Sequence, residues 1–178
     1  MKKVLILSSS PRKGGNSDLL CDAFAKGAKA AGNEVEKIRV AEKKIGYCTG
    51  CYACRKTGVC VQKDDARAVL DKMMAADVIV LATPVYFYTM CAQLKTLIDR
   101  SVVIFPKLTN KTFYYLTTMA ETDAKMLPGT LNALQGFLDC YEGSKLAGKV
   151  CATGVYEKGA VKGTKWESAA EKLGASVK

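Results

Sequence analysis

The run Asp77-Val78-Ile79-Val80-Leu81-Ala82 constrains this chain more than any other segment. After its first residue it is unbroken apolar, the pattern of a strand buried on both faces of a parallel sheet. Parallel neighbours need crossover connections, usually helices. The sequence supplies them on both sides. Strands are predicted over Lys2 to Ser9, Glu34 to Val40, Asp77 to Ala82, Thr112 to Thr118 and Lys149 to Val155. Helices are predicted from Asn16 or Ser17 to the Gly32-Asn33 stop, after Asp64-Asp65, through Leu94, Leu97, Ile98 and Val102, over Leu131 to Tyr141, and over Thr164 to Leu173. This alternation predicts a doubly wound α/β sheet with helices on both faces, as one domain over residues 1–178. A cysteine-rich loop occupies about 41–63.

In such folds ligands bind beyond the carboxyl ends of the strands. Three segments should converge there: Ser8 to Ser17, Thr83 to Thr89, and the stretch after Thr118. The turn Ser8-Ser9-Ser10-Pro11-Arg12-Lys13-Gly14-Gly15-Asn16-Ser17 joins a strand to a helix. Backbone N–H groups at a helix start form an anion site. Ser10 and Ser17 add hydroxyl donors, and Arg12 can grip a phosphate bidentately. The pattern is neither GxGxxG nor GxxxxGK[ST], which disfavours a Rossmann dinucleotide site and a P-loop. In the second segment, Pro84 stiffens the chain and Tyr86, Phe87 and Tyr88 could border a flat conjugated ligand or cover an interface.

Four of the eight cysteines, Cys48, Cys51, Cys54 and Cys60, fall within thirteen residues as C-x2-C-x2-C-x5-C. Thiolates so close repel unless a cation holds them, so the spacing points to an Fe–S cluster, a zinc ion, or a redox-active thiol loop. Cys21, Cys91, Cys140 and Cys151 read as small core hydrophobes.

Composition removes several function classes. The chain has no histidine, so His-based triads, His metal ligands and His acid–base chemistry are absent together. Its net charge of +10 is scattered from Lys2 to Lys178 without a concentrated basic run, which reads as a solvated lysine-rich surface rather than a nucleic-acid site. No apolar run approaches membrane length, and Val4 to Leu7 is too short for a signal sequence. A cytoplasmic protein is expected, in which thiols stay reduced.

The combination of S-S-S-P-R-K-G-G-N-S, T-P-V-Y-F-Y-T-M-C-A-Q-L-K-T-L-I-D-R and the clustered cysteines resembles the NADPH-dependent FMN reductase family of the flavodoxin-like superfamily, and in particular its iron–sulfur flavoprotein branch. The resemblance implies a flavodoxin-like five-stranded parallel sheet of order 2-1-3-4-5, bound FMN, and a homodimer or homotetramer. It implies that Ser8, Ser10, Arg12, Asn16 and Ser17 hold the FMN phosphate, and that Thr83, Pro84, Val85, Tyr86 and Phe87 line the isoalloxazine ring. Residues Thr118 to Ala120 would complete that site. Cys48, Cys51, Cys54 and Cys60 match the branch's compact motif for a [4Fe–4S] cluster.

Two functions follow from the resemblance. One is an FMN-dependent oxidoreductase that takes electrons from NAD(P)H and passes them to a small-molecule acceptor or the cluster. The other is a non-enzymatic electron carrier partnered with a ferredoxin-like protein, which a basic surface would suit. A third, a thiol switch in the cysteine loop, rests on thiol reactivity. In the oxidoreductase the flavin supplies the chemistry and the protein orients it, and the hydride step requires no side-chain acid or base.

Overall fold

The structure, a computed structural model, describes residues 1–105 and 107–178. Its elements run β1 (Lys3–Ser8), α1 (Asn16–Ala30), β2 (Glu34–Arg39), α2 (Ala53–Thr57), α3 (Ala66–Ala75), β3 (Val78–Tyr86), β4 (Thr89–Met90), α4 (Ala92–Arg100), β5 (Thr112–Thr118), α5 (Pro128–Asp139), β6 (Lys145–Ala152) and α6 (Lys165–Ala175). The sheet order is β2-β1-β3-β5-β6, all parallel, with the two-residue β4 paired antiparallel to β3. Setting β4 aside, this is the flavodoxin-like 2-1-3-4-5 order.

The central strands sort their side chains by the two-residue period. Leu5, Leu7, Ile79, Leu81, Phe113 and Tyr115 face one layer, packed by α3, α4 and α5. Val4, Ile6, Val78, Val80, Tyr114 and Leu116 face the other, packed by α1 and α6. Both faces are buried, which is why these strands read as continuous apolar runs. Helices α1 and α6 touch backbone to backbone: a Cβ on Gly27 would sit 1.9 Å from the Glu171 carbonyl oxygen, and one on Gly174 would sit 2.0 Å from that of Phe24. Glycine is required at both places because no side chain fits between the helices.

Two elements differ from the sequence expectation. The segment Thr83 to Thr89 is not a plain loop: β3 continues through Tyr86, turns at Phe87 and Tyr88, and returns as β4, pairing Val85 with Met90 and Tyr86 with Thr89. Phe87 and Tyr88 have φ of 47° and 66°, the left-handed backbone that a two-residue hairpin turn demands. The last strand begins at Lys145 rather than Lys149 and ends at Ala152. Its first half alternates exposed and half-buried residues at the sheet edge, so no apolar run marks it. Asp64 and Asp65 stand at the start of α3 as expected, and Asp64 Oδ1 accepts from the Ala66 N–H at 3.1 Å. Asp65 accepts from the Lys44 N–H at 2.7 Å, while both Asp64 carboxylate oxygens meet Arg100. These acids fasten the exit of the cysteine segment to the body of the protein.

Candidate functional site

At the carboxyl ends of β1, β3, β5 and β6 lies a cleft of about 180 Å³, bordered by Ser10, Arg12, Ser17, Pro84, Tyr86 and Thr118. The sheet register brings these together, with Pro84 beside Thr118 and Thr118 beside Ala152. Helix α1 starts at its floor. The Ser17 hydroxyl there is buried and has no hydrogen-bond partner among the described residues. An orphaned buried hydroxyl is costly. At a helix N-terminus it fits a site built to donate to an anion. Arg12 spans the rim, its Nη1 donating to the Tyr156 carbonyl at 3.4 Å.

The other polar residues of the turn build the cleft rather than face into it. Asn16 is held on three sides: its Nδ2 donates to the carbonyls of Val155 (3.0 Å) and Glu157 (2.9 Å), and its Oδ1 accepts from the Val161 N–H at 3.2 Å. Ser8 lies under the turn and donates to Asp18 Oδ1 at 2.8 Å. Asp18 in turn accepts from the Gly14 N–H at 2.9 Å and pairs with Lys37 and Arg39. Burial opposes the charge on Asp18, but the Gly14 N–H, the Ser8 hydroxyl and the Lys37 ammonium more than offset it, so its carboxyl sits below the ordinary range. The turn is thus drawn down onto a buried carboxylate, leaving its upper face for the cleft.

Set against the sequence expectation, Ser10, Arg12, Asn16, Ser17, Pro84, Val85 and Tyr86 border the cleft, as do Thr118, Met119 and Ala120. Ser8, Thr83 and Phe87 do not. Ser8 is committed to Asp18. The Thr83 hydroxyl is fully buried, accepting from the Cys91 N–H at 3.0 Å and donating to the Pro84 carbonyl at 2.8 Å. Phe87, at the hairpin tip, is 98% exposed. Sequence reasoning missed Val155 and Tyr156, which close the cleft from the loop after β6. The one available signal was that any loop after a strand's carboxyl end approaches this edge.

The cysteine segment lies elsewhere, over α4 and α5. There it walls a larger, mostly apolar cavity of about 690 Å³ that Cys48, Cys51, Cys54 and Cys60 all border. None of the eight cysteines is in a disulfide. Cys48 and Cys51 are exposed, and Cys54 and Cys60 half-buried. Among the described residues no three Cys, Asp or Glu groups converge into a metal site. The donor set nevertheless fits a thiolate-bound metal in number and kind. Left-handed backbone at Gly50, Tyr52 and Gly58 gives the segment the sharp turns needed to wrap one. The Ala53 N–H and the Thr49 hydroxyl hold the Cys51 thiol below its ordinary pKa.

The remaining cysteines divide. Burial pushes Cys21 up to about 12, an inert core thiol. Cys91 is also buried. Cys140 corrects the expectation of a core residue: it is exposed at the end of α5 and borders the same cavity as the four clustered cysteines.

Fold and cleft together define a flavodoxin-like α/β protein whose sheet carries a cleft at its carboxyl edge, over the start of a helix. The chain belongs to the NADPH-dependent FMN reductase family, whose model matches residues 2–126. It is similar to an iron-sulfur flavoprotein of Archaeoglobus fulgidus, 47% identical over 100 residues covering 56% of this chain and 45% of that one. It is also similar to an iron-sulfur flavoprotein of Methanosarcina thermophila, 40% identical over 102 residues covering 57% and 53%. The matched stretch spans about half the length of these curated relatives. Among solved structures it resembles the NAD(P)H:quinone oxidoreductase of Methanothermobacter marburgensis, with TM-score 0.76, 14% identity, and 98% and 94% of the two chains covered. An azoreductase of Bacillus anthracis gives TM-score 0.73 at 18% identity, covering 98% and 97%. At these identities what is shared is the fold. No helix among the described residues is long and apolar enough to cross a membrane.

Proposed function

We propose that residues 1–178 act as one FMN-binding domain of an oxidoreductase that takes electrons from NAD(P)H and delivers them to a small-molecule acceptor or to a cluster on the cysteine segment. The observation that carries this reading is the buried, unpartnered Ser17 hydroxyl at the start of α1, on the floor of a cleft at the carboxyl edge of the sheet. FMN, when bound, supplies hydride and single-electron chemistry that no side chain here could.

The protein's part is placement. Ser17, the first N–H groups of α1, Ser10 and Arg12 would hold the phosphate. At about 180 Å³ the cleft is smaller than the roughly 300–1,000 Å³ of most small-molecule sites. It therefore suits the anionic end of the cofactor, while the flat end would lie along Pro84, Val85 and Tyr86 toward the open rim. Tyr86 is 40% exposed there, so one face of a bound ring would stay open to an electron donor or acceptor. A second subunit in a homodimer or homotetramer would cover the protruding Phe87 and Tyr88.

The second reading, an electron carrier exchanging with a ferredoxin-like partner, is favoured by the four cysteines sharing one cavity wall and by the net charge of +10. In that reading Cys48, Cys51, Cys54 and Cys60 would hold a [4Fe–4S] cluster. Anaerobic stopped-flow mixing separates the two. Bleaching of bound FMN by NADPH or NADH supports the reductase, and bleaching only by reduced ferredoxin supports the carrier. An FMN that neither donor reduces would overturn both.

A further inference from the structure

Arg100 is the buried charge that the cleft leaves unexplained. It ends α4 and is 2% exposed, yet among the described residues its guanidinium bonds only to groups on or flanking the cysteine segment. Nη1 donates to the Gly46 carbonyl at 2.8 Å, to Gln62 Oε1 at 3.2 Å and to Asp64 Oδ2 at 2.6 Å. Nη2 donates to Asp64 Oδ1 at 3.0 Å and to the Cys60 sulfur at 3.4 Å. Gly46 precedes the four cysteines and Gln62 and Asp64 follow them, so one side chain ties the entry of the loop to its exit. Only a planar fork with several donors can do this; a lysine ammonium is a single point. Asp64 neutralises the buried guanidinium, and the Arg100 pairing in turn holds the Asp64 carboxyl below its ordinary range. The bond to sulfur is additional to that ion pair, and it selects Cys60 among the four cysteines.

We infer that Arg100 is a positioning residue for the four-cysteine site. It clamps both legs of the loop to α4 and holds the Cys60 sulfur at the cavity wall beside a fixed positive charge. The inference rests on the reading of this segment as a metal site. Given that site, loop closure has one ligand already placed, and Cys48, Cys51 and Cys54 do the moving. Hydrogen bonds and charge at a ligand sulfur tune the reduction potential of a cluster. The guanidinium would therefore raise the potential of any cluster bound here, besides helping to retain it.

The test compares wild type with Arg100→Gln, Arg100→Lys and Asp64→Asn. Each protein is incubated anaerobically with ferrous iron and sulfide. Bound iron and sulfide, FMN affinity, the midpoint potential, and the alkylation rate of Cys60 in metal-free protein are then measured. Wild type is expected to hold about four irons per chain. Arg100→Gln should lose at least half of that iron and, at a pH of about 10 where free thiols are ionised and the rate reads access alone, alkylate Cys60 about tenfold faster, the effect of one lost charge-assisted hydrogen bond. Its FMN affinity should stay unchanged, which shows that the fold survives. Arg100→Lys, which keeps the charge but not the fork, should retain more iron than Arg100→Gln and shift the potential less. Wild-type iron content, potential and Cys60 reactivity in Arg100→Gln would overturn the inference. If wild type binds FMN but no iron, the metal reading itself fails. The metal-free alkylation rates then still decide whether Arg100 places Cys60.

Discussion

Asn16 Nδ2 lies 3.0 Å from the carbonyl oxygen of Val155, joining the first turn of α1 to the loop that follows the last strand. With the Glu157 carbonyl and the Val161 N–H also bonded to it, this side chain closes one wall of the cleft. It is a strut rather than a free ligand. Asn16→Ala should therefore lower stability by about 2–4 kcal/mol, because it strands buried backbone groups. It should weaken FMN binding indirectly, by releasing Val155 and Tyr156. Urea unfolding with and without FMN checks this; a stable variant that only loses FMN would make Asn16 a direct ligand instead.

Ser17 is the converse case. Its hydroxyl has no hydrogen-bond partner among the described residues. Removing this unsatisfied buried group should not destabilise the unliganded chain and should stabilise it, by up to about 1–3 kcal/mol. If the hydroxyl donates to a phosphate, Ser17→Ala should weaken FMN by about tenfold or more, the range of one hydrogen bond to a charged group. Fluorescence titration with FMN, and with riboflavin, which lacks the phosphate, isolates that contact. Equal losses for the two ligands would contradict it.

The carboxyl of Asp18 is held below its ordinary value in the folded protein. A depressed acid contributes stability that is present above its unfolded pKa, about 3.9, and is lost as pH falls through the lower folded value. Wild type should accordingly lose stability below about pH 4. Asp18→Asn should be less stable at pH 7 and lose less on acidification. Thermal melts from pH 7 to pH 3 measure both. Parallel curves would mean that Asp18 adds nothing through its charge.

Gly27 and Gly174 let α1 and α6 meet with their backbones in contact. Alanine at either site must push the helices apart, with a loss of about 1–3 kcal/mol or more, despite alanine's better helix propensity. Gly136 on α5, with nothing within 4 Å of its added Cβ, is the control. Alanine there should be neutral or stabilising by up to about 1 kcal/mol. Chemical denaturation of the three variants would reverse this ordering only if α1 and α6 pack otherwise.

The parts of this architecture visible in the sequence are those that local chemistry dictates. Val78 to Ala82 announces a strand buried on both faces, and the serine- and glycine-rich segment before α1 announces the turn from strand to helix. The order of the parallel strands came from the family resemblance, and the sheet has that order. What stayed hidden depends on partners far along the chain. The bonds of Asn16 lie 139 to 145 residues away, and Arg100 meets Asp64 across 36. Neither spacing leaves a periodic trace. The extension of β3 through Pro84 and the aromatic hairpin tip was masked because proline and successive exposed aromatics read as a loop. Ser8 and Thr83 sit at or near the carboxyl ends of β1 and β3, where a hydroxyl has the same sequence signature whether it faces the cleft or, as here, a buried neighbour.

The central claim is that the edge of the sheet at Ser10, Arg12 and Ser17 binds FMN. Its most direct measurement is a titration of the metal-free protein with FMN, following flavin fluorescence under anaerobic conditions. The account predicts saturable binding of about one FMN per chain, with riboflavin weaker by at least about tenfold for want of its phosphate. Absence of saturable FMN binding, or equal affinity for riboflavin, would contradict it.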